Sequence, residues 1–305
     1  MPYIYHAFGL TIQSEFELPE LIPGTGDPDV SIRSGRVPDQ LDHARREHFR
    51  FQSRPGRLLL KIDHIADFLV SDGREIVVQA MPSAEPESVR LFLLGSALGA
   101  ILHQRGILPL HASAVRVNGE CIAFCGASGS GNSTTAGVFV NRGYELIADD
   151  ICAVALDAKG QPLVYPEYTQ LKLWEDSLSQ SGQDPAAYSR VRHVLDKFKV
   201  PAGQGGGMEP LRFRKVYVLS PGHENRIAIH PLEGMARFGA IRDNTYRKKF
   251  VDGLGQSREH FRAVSAIGKF VPVYRVERPR KPFLLEELAD RLEHDFMESC
   301  QENGS

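Results

Sequence analysis

The chain carries no excess of charge of either sign: 36 basic against 38 acidic residues leave a formal charge of −2 over 305 residues. That balance gives no sign of a nucleic-acid or membrane partner. Long hydrophobic runs are missing too. The longest apolar stretch, Leu91 to Leu102, is too short and too rich in glycine and alanine to span a bilayer. The opening residues, Met-Pro-Tyr-Ile-Tyr-His, lack the basic start and apolar block of a secretion signal. Four cysteines (Cys121, Cys125, Cys152, Cys300) show no paired metal-ligand spacing, and Cys125 reads as a small core residue. Free buried thiols fit a reducing compartment better than a disulfide scaffold. There is no internal repeat and no low-complexity tract. The expectation is a cytoplasmic globular protein, with ample volume for a buried core.

What is present is organised in two parts. Candidate strands Ala7–Ile12, Val30–Arg33, Leu58–Ile62, Phe68–Val70 and Ile76–Val78 alternate with turns, and Pro19–Asp29 reads as loop. Residues 1–84 therefore read as a small antiparallel β unit ahead of a larger part spanning 85–305. A helix is expected from near Pro86 through Leu91, Leu94, Leu98 and Leu102 to Gly106. Two extended runs, Leu110–Val117 and Glu120–Cys125, flank Asn118-Gly119, the strongest short hairpin signal. A helix to about Asn141 and a strand from Tyr144 to Ala148 follow. Further on, strands (Phe213–Leu219, Ile227–Pro231, Val271–Val276) alternate with helical stretches, and Gln204–Met208 reads as a mobile loop. The last helix is expected from Pro282, with apolar repeats at Leu284, Leu285, Leu288, Leu292 and Phe296.

Between the hairpin and the next helix stands Gly126-Ala127-Ser128-Gly129-Ser130-Gly131-Asn132-Ser133-Thr134. Glycines at this spacing let successive backbone N–H groups converge on phosphate oxygens, and the helix that follows adds its positive end. Ser133 stands where a hydroxyl would ligate Mg²⁺. One position departs from the pattern: Asn132 occupies the place of the lysine. An amide is a weaker partner for phosphate than an ammonium. Asp149-Asp150 closes the following strand, and adjacent residues there point to opposite sides. One carboxylate can then approach a metal while the other approaches an acceptor.

Leu110-His111-Ala112-Ser113-Ala114-Val115, the glycine loop and Glu145-Leu146-Ile147-Ala148-Asp149-Asp150, in that order, resemble the core of the bacterial HPr kinase/phosphorylase family. The likeness covers Ile107 to Leu156. Phe8-Gly9-Leu10, Tyr165-Pro166 and Leu171-Lys172-Leu173-Trp174 resemble the shorter HPr-kinase-like serine kinases, some encoded with lasso-peptide biosynthesis genes. The resemblance implies an α/β phosphate-loop kinase core with a small N-terminal β-rich domain. It also implies magnesium-dependent transfer of the ATP γ-phosphoryl group to a serine hydroxyl of a peptide or small protein. On it, Gly126 to Thr134 bind nucleotide and Ser133 and Asp150 hold magnesium. Asp149 and Asp150 divide the roles of base and metal partner, and His111 sits beside the γ-phosphate. The family's Glu-Ile-Arg-Gly-type signature is not recognisable, which removes the ground for phosphorylase activity or for HPr as substrate.

Other residues are open to plainer readings. A lone histidine on an apolar strand is commonly a satisfied core residue. Ser113 shares its face and is expected to act only by hydrogen bonding. The basic run Arg190–Lys199, with Lys197 foremost, reads as a phosphate or acidic-peptide clamp or as a solvated helix face. Trp174 reads as a core anchor or a peptide-facing aromatic. Arg237, Arg242 and Arg247 are candidates for a transition-state charge that spacing does not separate. A nucleotide-sensing module without catalysis and a small-metabolite kinase stand as alternatives.

Overall fold

The computed structural model describes residues 2–167, 170–174, 189–192, 195–201, 208–222, 226–279 and 284–301. Its first nine strands are β1 (Tyr3–Ala7), β2 (Leu10–Ser14), β3 (Ile22–Pro23), β4 (Val30–Ser34), β5 (Arg46–His48), β6 (Phe51–Arg54), β7 (Arg57–Ile62), β8 (Ala66–Ser71) and β9 (Glu75–Ala80). They form one sheet in the order β3-β1-β2-β4-β9-β8-β7-β6-β5. It is mixed, not wholly antiparallel, because β4 runs parallel to both β2 and β9. The run Ala7–Ile12, expected as one strand, is a turn between two. Phe8 and Gly9 both take positive φ (56° and 72°), the geometry that closes a two-residue hairpin. Tertiary contact enforces it: the Phe8 N–H donates to the Pro166 carbonyl at 3.0 Å. A Cβ on Gly9 would lie 2.3 Å from the Tyr165 ring.

The expected helix is broken by a π turn: α1 (Pro86–Phe92), Leu93–Ala97, then α2 (Leu98–Gln104). Its apolar face joins the inner face of the first sheet in one buried cluster, with Ile151, Ala153, Phe250 and Leu254 added. That cluster runs across position 84.

The second sheet contains β10 (Leu108–Leu110), β11 (Ala112–Val117), β12 (Glu120–Gly126), β13 (Glu145–Ala148), β14 (Cys152–Leu156) and β15 (Pro162–Tyr165). β16 (Gln170–Trp174), β17 (Ser189–Arg192) and β18 (Leu195–Pro201) make a separate three-stranded sheet. The described parts of the basic run, Arg190–Arg192 and Leu195–Lys199, thus lie on strand backbone rather than on a helix, while residues 193–194, the side chains of Lys197 and Trp174, residues 202–207 and Pro282 lie outside the described residues. β19 (Leu211–Pro221), β20 (Ala228–Pro231) and β21 (Val273–Arg278) complete the second sheet, in the order β10-β14-β15-β19-β12-β11-β13 with β21 on β19 and β20 on β21. β12, β19 and β21 run parallel.

Period-two alternation along β12 gives this sheet two buried faces. Ile122 and Phe124 face a cluster formed with α3 (Asn132–Asn141) and the C-terminal helix. Cys121, Ala123 and Cys125 face the other side, with Ile241 of α4 (Gly234–Asp243) beside them. The short α5 (Phe250–Gly253) leads to α6 (Ser257–Phe270), whose Val264 and Ile267 join that second face. α7 (Leu285–Gln301) covers the first, with Leu288, Leu292 and Phe296 inward. Cys121, Cys125 and Cys152 are free and buried, and burial pushes the Cys125 thiol up, which leaves it inert. α7 is also tied by charge: Lys215 of β19, only 3% exposed, donates to Asp295 at 2.9 Å, with the Tyr274 ring 4.8 Å from its Nζ. Among the described residues no helix is long and apolar enough to cross a membrane.

Candidate active site

Three chain segments reach one edge of the second sheet because of its register. β12 ends at Gly126, and antiparallel β11 begins at Ala112 opposite Cys125. β13, antiparallel to β11 on its other side, ends at Ala148 opposite Ala114. The glycine loop after β12, His111 before β11 and Asp149-Asp150 after β13 are therefore neighbours. His111 sits in a break, since β10 pairs with β14 while β11 pairs with β12 and β13, so the expected run Leu110–Val117 is not one strand.

The loop needs its glycines. Gly126 (φ 154°) leaves no room for a side chain: a Cβ would lie 2.7 Å from the Leu219 carbonyl and 2.2 Å from Ser130 Oγ. Gly131, with φ 98°, precedes the first turn of α3. The Ser130 N–H turns back onto the Ala127 carbonyl at 2.9 Å. Among the described residues, the amides of Ala127, Ser128, Gly129 and Gly131 meet no backbone carbonyl. Asn132 is buried, and its amide braces the loop from within. Its Oδ1 accepts from Ser130 Oγ at 3.0 Å and its Nδ2 donates to the Gly126 carbonyl at 3.3 Å. Ser133 is partly exposed in the first helical turn, and Thr134 is buried.

The two aspartates differ in environment. Asp149 is 1% exposed; its Oδ1 accepts from Ser113 Oγ at 2.6 Å, and its N–H donates to Glu167 Oε2 at 2.9 Å. Asp150 is partly exposed with φ 76°, a left-handed conformation that costs a non-glycine residue about 1 kcal/mol. Its carbonyl lies 3.1 Å from His111 Nδ1. A carbonyl only accepts, so Nδ1 carries the proton, and a neutral ring keeps its lone pair on Nε2.

Facing the loop is a cleft of about 430 Å³ lined by His111, Gly126, Ala127 and Ser128 on one side and by residues 243–247 on the other. Asp149 and Asp150 are not among its lining residues. Bonds to distant parts of the chain hold the far wall. His111 N–H donates to Asn244 O (2.7 Å) and Tyr246 N–H to Pro109 O (2.8 Å). Buried His103 donates through Nε2 to Tyr246 O at 2.9 Å, and Thr245 Oγ1 bonds His260 Nε2 at 2.9 Å. Burial lowers the pKa of His103 to about 4 and also lowers that of His260, so both rings are neutral at pH 7. The Tyr246 side chain rests on Gly95 and Gly99, whose added Cβ atoms would lie 3.0 and 3.1 Å from it. Nothing in the local sequence of 243–247 announces this wall. Of the three arginines considered, Arg237 donates to the Leu232 and Gly268 carbonyls and Arg242 pairs with Asp243, whereas Arg247 lines the cleft.

No family model matches the chain, and no curated protein matches it. The solved Hpr(Ser) kinase/phosphatase from Coxiella burnetii is similar to it over 64% of this chain and 96% of that chain, at 11% identity and a TM-score of 0.31. A likeness this loose decides neither fold nor activity.

Ser133 and the two aspartates offer hard oxygen donors, the type Mg²⁺ takes when substrate phosphates and water fill the rest of its octahedron. Among the described residues no cluster of three or more His, Cys, Asp or Glu forms a cation cage. Ser133 and Asp150 are both partly exposed, whereas Asp149 is sealed. A cation of the protein's own also reaches the loop: Arg278, the last residue of β21, donates through Nη2 to the Ser130 carbonyl at 2.7 Å.

Proposed function

We propose that the chain is a kinase of the HPr-kinase type, transferring the ATP γ-phosphoryl group to a serine hydroxyl of a peptide or small protein. The observation that carries the reading is the meeting of the glycine loop, His111 and the Asp149-Asp150 pair at one sheet edge. In this reading residues 85–305 are the catalytic part and 1–84 a β-rich domain packed against it. Gly126 to Thr134 receive the triphosphate through main-chain amides at the positive end of α3. Ser133 and Asp150 hold Mg²⁺, which when bound neutralises charge on the phosphate oxygens. The acceptor oxygen bonds to the γ-phosphorus as the bond to the ADP oxygen breaks, and that electron pair leaves with ADP. The hydroxyl proton passes to a carboxylate of the aspartate pair. Ser113 orients Asp149, and His111 sits beside the γ-phosphate. The cytoplasm, where ATP is plentiful, is the compartment this requires.

Incubation with γ-labelled ATP, Mg²⁺ and serine-bearing peptides tests the reading. Label in phosphoserine, strongly reduced in Asp149→Asn and Asp150→Asn, is expected. One observation favours a second reading, a nucleotide sensor without catalysis: the Asn132 amide is fully built into the loop. Calorimetric ATP binding with no transfer to any acceptor, and an equally silent Asn132→Lys, would decide for the sensor.

A further inference from the structure

Asn132 brings no charge to the loop: its side chain is a neutral amide, buried and closed onto Ser130 and Gly126. A triphosphate held by backbone dipoles alone forgoes the stronger charge-assisted bonds. The cation that does approach comes from a strand remote in sequence.

Arg278 is carried there by sheet register. β21 runs parallel to β19 with Arg278 opposite Pro221, and β19 runs parallel to β12 with Leu219 opposite Gly126. The Gly222 N–H donates to the Arg278 carbonyl at 2.8 Å, which fixes the backbone that presents the side chain. Besides the bond from Nη2 to Ser130, the same nitrogen lies 3.0 Å from where a Cβ on Gly131 would stand. The guanidinium therefore touches the loop at the two residues before the position that lacks its lysine. Its donors lie in a planar fork, and one of them reaches Ser130. Burial lowers its pKa, yet a guanidinium stays charged at neutral pH. Arg247 lines the cleft from its far wall, whereas Arg278 touches the loop itself.

We propose that Arg278 supplies to the terminal phosphates the positive charge that position 132 lacks, delivering it from the end of β21 instead of from the loop. The proposal rests on the loop's being a nucleotide cradle, as argued above.

Calorimetric titration of the full chain with ATP and with ADP, Mg²⁺ present, tests it in four forms: wild type, Arg278→Gln, Asn132→Lys and the double variant. Glutamine removes the charge and falls short of the Ser130 carbonyl, so the comparison of ATP with ADP and the double variant separate lost charge from lost bracing. The expected result is a tenfold or greater loss of ATP affinity in Arg278→Gln, a smaller loss for ADP, and recovery of most of the ATP affinity in Arg278→Gln/Asn132→Lys. An arginine that only holds the loop in shape would give equal losses for both nucleotides and no recovery in the double variant, and either result overturns the proposal. Wild-type affinity in Arg278→Gln overturns the role of Arg278 alone. Absence of ATP binding by the wild type overturns the cradle reading and this proposal with it.

Discussion

Ser113 Oγ donates to Asp149 Oδ1 across 2.6 Å, joining the start of β11 to the end of β13 out of reach of solvent. A hydrogen bond to a charged group is worth about 1.5–3 kcal/mol, and here it sets the direction of a proposed catalytic carboxylate. Ser113→Ala is expected to lower kcat by about tenfold or more with little change in KM for ATP. Ser113→Thr, which keeps the hydroxyl, is expected to restore much of it. Steady-state kinetics on both variants check this, and an unchanged kcat in Ser113→Ala would remove Ser113 from the mechanism.

Two loop glycines separate strain from space. Gly126 combines φ 154° with backbone 2.7 Å from any added Cβ, whereas Gly129 has φ 83° and open space around it. Gly126→Ala is expected to cost about 3 kcal/mol and abolish ATP binding. Gly129→Ala is expected to cost about 1 kcal/mol, from backbone strain alone. Denaturant unfolding with nucleotide titration distinguishes them; equal costs would show that the crowding at Gly126 is relieved.

Lys215 is nearly sealed from solvent and donates to the Asp295 carboxylate. Asp295→Ala removes the carboxylate from buried Lys215, which keeps the main-chain carbonyl of residue 295 and the Tyr274 ring, and is expected to cost about 3 kcal/mol, whereas Lys215→Met removes the charge itself and should cost less. The order of the two midpoints in urea is the test. A reversed order would mean that water reaches Lys215 once its partner is gone.

His103 makes stability depend on pH. Its folded pKa is lowered to about 4 by burial, against an ordinary value near 6.5. Between those values the unfolded chain binds the extra proton, so stability is lost as pH falls from about 6.5 toward 4. The full loss is of order 3 kcal/mol. His103→Gln keeps a donor for Tyr246 and cannot titrate, so its stability between pH 7 and pH 5 should fall less than the wild type's. Equal slopes would assign the acid sensitivity to other groups.

Much of the local structure is legible in the residues. Alternation along Glu120–Cys125, the Asn118-Gly119 turn (φ 49° and 80°) and the three loop glycines act within a few residues of themselves, through steric limits on φ and the period of a strand. Those rules are enough to read a strand, a loop that favours phosphate, and a helix behind it. They fail where a remote segment overrides local preference. Phe8-Gly9 turns because Tyr165 and Pro166 lie against it, and Gly95 and Gly99 answer to Tyr246. Tertiary structure alone brought Glu167 to the Asp149 main-chain N–H, placed residues 243–247 across the cleft and brought Arg278 to Ser130. Which strand lies beside which is decided by burying both faces of a sheet at once, a condition on the whole chain that no short stretch of it carries.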